Sequence, residues 1–514
     1  MAKDTPIELA IHGGAVHNGP GSPPEDESRG GSWTQQLDRF ITLFPAVAFG
    51  LTLLSSWEAV GISFGAGLLN GGPTALAWGM LIASVGATGI ALSLAEMASI
   101  TPVVGAQYRW SGLYAPSFMT PAFWSLIQGW LTIFAWIAFL TATVYPCAAM
   151  TQGLIGLNNP TYIPERWQIT LIMWAFLTLI IVLNIYARKV LVGIELIGGV
   201  LHIIFFIATT VALAVMAPKS SASFVFTESF FGQSGWSNQS VQWFLGLLTS
   251  TAVLSGYDGA LHMSGEMKNA PRNVPRSMVI GVIMNSILAF GFILLLLFCI
   301  GDPIAALTTP TGYPVIEIYL QATGSATGAT ILTCFIIIPE TVCLFNVFAS
   351  VTRLVWAFSR DNGLPFSSFF SVIHPTLHIP IRALGLVSVI CALLGLISVG
   401  STAAFFALLS LSTISLYLSY LIPILFFLLR KLEGRHPSYG PFKLGRFGIP
   451  INTFAVCYCI FMIIWLPFPS MLPVTAKNFN YAGPIMAAVL IAALLDWFIS
   501  GHKRFQVPTD PYRE

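Results

Sequence analysis

Between Thr249 and Gly259 the chain reads Thr-Ser-Thr-Ala-Val-Leu-Ser-Gly-Tyr-Asp-Gly, small and hydroxyl residues closed by an aromatic and a carboxylate. The run lies inside an apolar stretch, 241–262, long enough to cross a bilayer as a helix. A carboxylate at that depth costs a few kcal/mol or more, so Asp258 is a functional candidate by default. A matching run opens the apolar part of the chain, where residues 50–59 read Gly-Leu-Thr-Leu-Leu-Ser-Ser-Trp-Glu-Ala. Ser56-Trp57-Glu58 and Gly256-Tyr257-Asp258 share one order: small residue, aromatic, acid. Two such interruptions in long apolar segments are what helices broken around a solute look like in sequence.

The rest of the chain fits a membrane. Of its 514 residues 55% are hydrophobic and only 9% charged, against roughly 25% charged in soluble domains. The apolar runs do not alternate with polar residues, which excludes barrel strands and leaves helices as the way to pair every backbone amide in lipid. We count twelve spans: 42–69, 74–99, 122–150, 167–187, 190–216, 241–262, 277–300, 328–357, 381–399, 402–429, 450–468 and 482–500. With the N-terminus inside, all but three of the 23 Lys and Arg residues fall on the inner side; Arg166, Lys219 and Lys477 are the exceptions. That bias obeys the positive-inside rule and puts both termini in the cytoplasm. Residues 1–40 are polar, rich in Gly and Pro and without an apolar core, and read as a disordered tail rather than a cleaved signal.

Several activities are excluded. A net charge of +2 gives no electrostatic footprint for nucleic acid. No Gly-x4-Gly-Lys-Ser/Thr loop occurs, so ATP-driven pumping is not expected. The seven cysteines sit in or at the ends of apolar stretches and none pairs with a histidine at metal spacing; they are read as packing residues. No cofactor, metal or enzymatic activity is expected, and no filter-like loop marks a channel.

These features point to a secondary transporter of a small solute. The substrate-binding candidates are Ser55, Ser56, Trp57 and Glu58 in the first break and Val253, Leu254, Ser255, Gly256, Tyr257 and Asp258 in the second. Amides near 55–58 would bind a substrate carboxylate, and carbonyls near 253–256 with Asp258 or Glu58 an ammonium. Trp57 and Tyr257 would stack on a cationic headgroup. Three further acids are coupling or gating candidates: Glu96 at the end of span 2, Glu195 in span 5, and Glu340 after Pro339 in span 8. Glu195 and His202 lie on one helical face, where they would form a proton path or meet neighbouring helices.

Three motifs then carry a resemblance. Leu69-Asn70-Gly71-Gly72-Pro73 is followed by Trp78-Gly79, Ser93-Leu94-Ala95-Glu96-Met97-Ala98-Ser99, Pro102, Gly105, Gln107-Tyr108 and Trp110. Gly256-Tyr257-Asp258 runs into Glu266-Met267-Lys268-Asn269-Ala270-Pro271-Arg272-Asn273-Val274-Pro275-Arg276. Arg353-Leu354-Val355-Trp356-Ala357-Phe358-Ser359-Arg360-Asp361-Asn362-Gly363-Leu364-Pro365 follows span 8. In this order the sequence resembles the amino acid–polyamine–organocation transporters, and within them the fungal amino acid/choline branch with its GABA and choline permeases. The resemblance implies an all-α polytopic protein with a LeuT-type core of two inverted five-helix repeats plus two peripheral helices. The expected organisation is a core over 41–430, with halves at about 41–217 and 241–430. A loop and the last two helices follow over 431–500, then a C-terminal tail over 501–514. Many relatives break the first helix at a Gly-small-Gly run; here its place is held by Ser55-Ser56-Trp57, with Gly65-Ala66-Gly67 as the alternative. The expected function is transport of an amino acid or small amine such as GABA or choline by alternating access, proton-coupled, in the fungal plasma membrane. The alternatives are a polyamine transporter and a non-transporting amino-acid sensor of the same fold.

Overall fold

The computed structural model describes residues 39–186, 191–229, 234–476 and 478–507. The expected tail over 1–40 lies outside the described residues except for Arg39 and Phe40, and so does the end of the C-terminal tail beyond Val507. Among the described residues there is no strand, only an isolated bridge between Ile41 and Met267.

The helices follow the apolar runs. α1 (Leu43–Leu54) and α2 (Ser56–Ile100) open the chain, followed by the short α3 (Ala106–Tyr114) and then α4 (Pro121–Asn158), α5 (Arg166–Tyr186) and α6 (Leu191–Met216). After the small α7 (Ala222–Thr227) come α8 (Gln239–Ala252), α9 (Gly259–His262) and α10 (Ala270–Phe298). α11 (Pro303–Leu307) and α12 (Pro314–Thr323) fill the next connection, and α13 (Ala326–Arg360) and α14 (Ser367–Phe370) follow. The chain ends with α15 (Ile381–Gly395), α16 (Ile397–Gly400), α17 (Thr402–Leu432), α18 (Gly448–Trp465), α19 (Ala482–Asp496) and α20 (His502–Arg504).

Among the described residues ten stretches are long and apolar enough to cross a membrane. One of them, Leu43–Ile100, holds two crossings, because Gly72 (φ 65°, ψ −163°) and Pro73 turn the chain inside it. The span expected over 241–262 is not among the ten, because α8 stops at Ala252 and α9 restarts only at Gly259. The twelve expected segments are therefore all present. Residues 65–67 are helical within α2, so the first helix breaks at Ser55 and not there. The sequence reading did not anticipate α11 and α12, although both carry local start signals. Asp302 caps α11 by accepting from the Ile304 and Ala305 amides, and each helix begins on a proline.

Packing follows membrane rules. On α6 the large apolar residues Ile197, Val200, Ile204, Ile207 and Val211 are exposed, at the three- and four-residue spacing of one helical face. Glu195, Gly198 and His202 are buried on the other. Lipid takes the place of the core for such a helix, and its polar groups turn inward. α2 lies centrally, against α8 and α10. A Cβ added to Gly246 would come within 3.0 Å of the Gly71 Cα and 2.6 Å of the Ala75 Cβ, so α8 touches α2 through a small-residue contact of the kind that draws membrane helices together.

Candidate functional site

Each broken helix is held open by side chains from outside it. At the first break Ser55 adopts left-handed backbone angles (φ 38°, ψ 46°) and its hydroxyl donates to the Thr52 carbonyl at 2.9 Å. A break there strands backbone groups that a continuous helix would pair. Asn285 of α10 staples the two halves: its Oδ1 accepts from the Ser56 amide at 3.0 Å, and its Nδ2 donates to the Leu51 carbonyl at 3.1 Å. The Ser56 hydroxyl then donates to the Val253 carbonyl at 2.8 Å, tying the first break directly to the second.

The second break is organised by Asp258, which is fully buried. Its carboxylate accepts from Gln107 Nε2 at 2.5 Å, Trp136 Nε1 at 3.0 Å and the Tyr420 hydroxyl at 2.5 Å, with His262 Nε2 at 3.5 Å. The Tyr420 hydroxyl also accepts from the Gly256 amide at 3.3 Å. Gly256 has φ 94°, which an L side chain rarely adopts, so the glycine is what lets the chain turn there. Tyr257 stacks on Tyr420 with ring centroids 5.2 Å apart. Asp258 thus clamps α3, α4 and α17 onto the turn.

A cavity of about 570 Å³ meets both breaks, within the usual range for small-molecule sites. Leu54, Val253 and Ser255 line it from the breaks, Ala59, Ser63 and Asn70 from α2, and Phe139 and Thr143 from α4. Glu340 and Cys343 of α13 also face it. Phe468, Met471 and Phe479, from the connection between α18 and α19, line its other end. The connection between the last two helices, which the motifs left without a role, thus contributes to the site. Among the described lining residues Glu340 is the only charged one; its Oε2 is buried and without a hydrogen-bond partner.

The ten substrate-binding candidates separate accordingly. Val253 and Ser255 face the cavity; Ser55, Ser56, Trp57, Glu58, Leu254, Gly256, Tyr257 and Asp258 are not among its lining residues. Trp57 points toward α6, donating to the His202 carbonyl at 3.2 Å and packing on Phe206 and Phe292. Glu58 turns the same way and meets His202 Nδ1 at 2.7 Å. Of the coupling candidates, only Glu340 reaches the cavity. Glu195 accepts from Thr52 Oγ1 and Asn346 Nδ2, both at 3.0 Å, joining α6 to α1 and α13. Glu96 pairs with buried Lys431 at 2.5 Å and accepts from the Leu444 amide, fastening α2 to α17.

On the other side of the breaks from the cavity the chain is closed by polar contacts. The Phe40 and Ile41 amides donate to the Glu266 carbonyl, both at 3.0 Å, and Arg353 pairs with the Glu266 carboxylate at 2.7 Å. Asp361 accepts from the Tyr108 hydroxyl at 2.6 Å and pairs with Arg109 at 2.8 Å. Burial first, then the Asp361 carboxylate, push the Tyr108 hydroxyl far above its usual range, so it remains a donor. The sequence reading quoted Arg360 and Asp361 within a motif but did not find their partners. It also quoted Gln107 without a site role and missed Asn285, Trp136 and Tyr420. For Asn285 a signal existed, an amide side chain deep in an apolar span.

Residues 41–491 match the amino acid permease family. A choline transporter of Saccharomyces cerevisiae is 30% identical over 91% of this chain and 83% of its own length. Amino-acid permease 2 of Neurospora crassa is 30% identical over 89% of this chain and 82% of its own. A Macrophomina phaseolina protein whose name places it with amino acid/polyamine transporters is 31% identical over 85% of this chain and 96% of its own.

Proposed function

Because the chain belongs to the amino acid permease family, and is a multi-pass membrane transporter rather than an enzyme, we propose that it carries an amino acid or related small amine, such as GABA or choline, by proton-coupled alternating access. The observation that carries this reading is the cavity at the two helix breaks, with Glu340 as the one charged residue among its described lining residues. A carboxylate without a counter-charge in a low-dielectric site favours a cationic group. The substrate's ammonium is placed at Glu340 and the backbone turn at Val253–Ser255. Ser63, Thr143 and Thr249 supply hydroxyls for a substrate carboxylate where there is one, and Phe139 offers an aromatic face to a quaternary headgroup.

Alternating access is supported by the asymmetry of the two sides. The cavity reaches the α18–α19 connection, whereas the layer held by Arg353–Glu266 and Arg109–Asp361 is closed. In the proposed cycle those pairs part as the cavity closes. The charge bias of the loops supports cytoplasmic termini, which makes the present state outward-facing, with the plasma membrane as its proposed location. The ten-helix core over 41–430 and the two peripheral helices are the proposed division of labour.

The test is uptake of labelled choline, GABA, neutral amino acids and putrescine in cells lacking their own permeases, at several external pH values. Saturable uptake of one solute that falls sharply in Glu340→Gln supports the reading. No uptake of any of them from a correctly sorted protein supports the sensor alternative.

A further inference from the structure

The first three turns of α2 have two faces. Ala59, Ile62, Ser63 and Ala66 line the cavity, Trp57 points the opposite way, and Glu58, one turn before Ile62, sits at the edge between the two and turns into the seam with α6. In that seam Glu58 and His202 form a pair with no exposure at either side chain, at 2.7 Å between Oε1 and Nδ1. The remaining Glu58 Oε2 and His202 Nε2 are buried without hydrogen-bond partners, as is the hydroxyl of Tyr319 on α12. Trp57 seals the seam by donating to the His202 carbonyl and packing edge-on against Phe292 of α10.

We propose that Glu58 and His202 together form the proton-binding site of this transporter, a site that rests on the transport reading given above. A carboxylate facing an imidazole holds one proton between them with zero net charge. Losing that proton leaves a net charge of −1 in a site without water access, which the low-dielectric surroundings oppose. The pair is thus stable loaded, and it unloads only when the seam between α2 and α6 opens to water. Because the same helical segment also forms a cavity wall, a movement of α2 that exposes the pair also reshapes the substrate site. One rigid element then serves both ligands.

The groups around the pair fit this assignment. Within electrostatic reach of Glu58 are His202 from α6, Tyr319 from α12, and Glu340 and Cys343 from α13. Cys147 of α4 stands behind Glu340 and Cys343. Among the described residues His202 is the only ion-pair partner of Glu58. Glu195, two turns away on α6, is instead held by the neutral donors Thr52 and Asn346 and faces α1 and α13. Of the two buried acids at the α6 seam, only Glu58 meets a base and shares its helical turn with the cavity wall.

The full-length protein reconstituted in liposomes separates the two readings. Labelled choline is the probe, with labelled GABA where choline is not carried. Two modes are measured: accumulation driven by an inward proton gradient, and counterflow exchange at equal pH on both sides, which needs no net proton movement. The wild type is expected to show both. In Glu58→Gln, gradient-driven accumulation falls at least about tenfold while counterflow stays within about threefold. In His202→Gln, counterflow persists and the pH midpoint of accumulation moves by about one unit. His202→Gln also decides the matter if Glu58→Gln fails to fold. Gradient-driven accumulation unchanged in both variants overturns the proposal. So does equal loss of both modes in a variant that elutes as a monodisperse species, since that marks a structural pair. Counterflow in the wild type with no gradient-driven accumulation overturns the site and the proton coupling and leaves solute transport standing. Absence of counterflow with either solute removes the transport reading and the site together.

Discussion

Replacing Asp258 with Asn separates a structural clamp from a substrate ligand. The carboxylate receives three hydrogen bonds, from Gln107, Trp136 and Tyr420, and does not line the cavity. Hydrogen bonds to a charged group contribute roughly 1.5–3 kcal/mol each, against about 0.5–1.5 for neutral pairs. The asparagine oxygen can still accept from Gln107 and Trp136, losing about 1 kcal/mol per bond through the missing charge. Its amide then faces Tyr420, whose hydroxyl must turn to accept and so gives up its own donation. The expected cost is about 2–4 kcal/mol. With an unfolding entropy near 2.1 cal/mol/K per residue, the 514-residue chain loses about 2–4 °C in apparent midpoint, and more where the unfolded state keeps its helices. The assay is a melting curve of detergent-purified protein by size-exclusion fluorescence, read beside the apparent KM for uptake. We expect a lower midpoint with KM within about threefold of wild type. An unchanged midpoint with KM raised tenfold or more refutes the clamp and returns Asp258 to the substrate.

Glu340→Gln removes the charge that Glu340 brings to the cavity wall and is expected to raise KM for a cationic solute roughly 10- to 150-fold, the equivalent of about 1.5–3 kcal/mol, with the melting midpoint unchanged or higher; a KM left intact argues against Glu340 as the ammonium partner. Ser55→Gly relieves a left-handed serine and is expected to be tolerated, whereas Ser55→Val puts a β-branched residue at φ 38° and is expected to cost about 1–3 kcal/mol in a melting assay. A valine variant as stable as wild type contradicts the left-handed break. Arg353→Met leaves the Glu266 carboxylate buried and unpaired, at about 3–5 kcal/mol. Adding Glu266→Met is expected to recover part of that loss, and a double-mutant cycle showing simple additivity denies the pairing.

The sequence by itself determined the class of molecule. Apolar runs of bilayer length with few charges have only one way to pair their amides in lipid, so the helices and their number follow from chemistry that each segment carries alone. Both breaks were legible for the same reason: Ser55-Ser56 and Val253 to Asp258 cluster small and polar residues where a plain span would be aliphatic. What a carboxylate does at such a break was not legible. Glu58 and Asp258 read alike in sequence, yet one meets His202 and the other a ring of three donors, while the cavity falls to Glu340 on a different helix. A helical turn sends neighbouring side chains about 100° apart, so whether an acid meets solvent, a base or a donor depends on which helix packs on which face. That choice belongs to contacts between residues 100 to 300 positions apart, such as Ser56 with Val253 or Asn285 and Thr52 with Asn346. Only the tertiary structure decides those contacts.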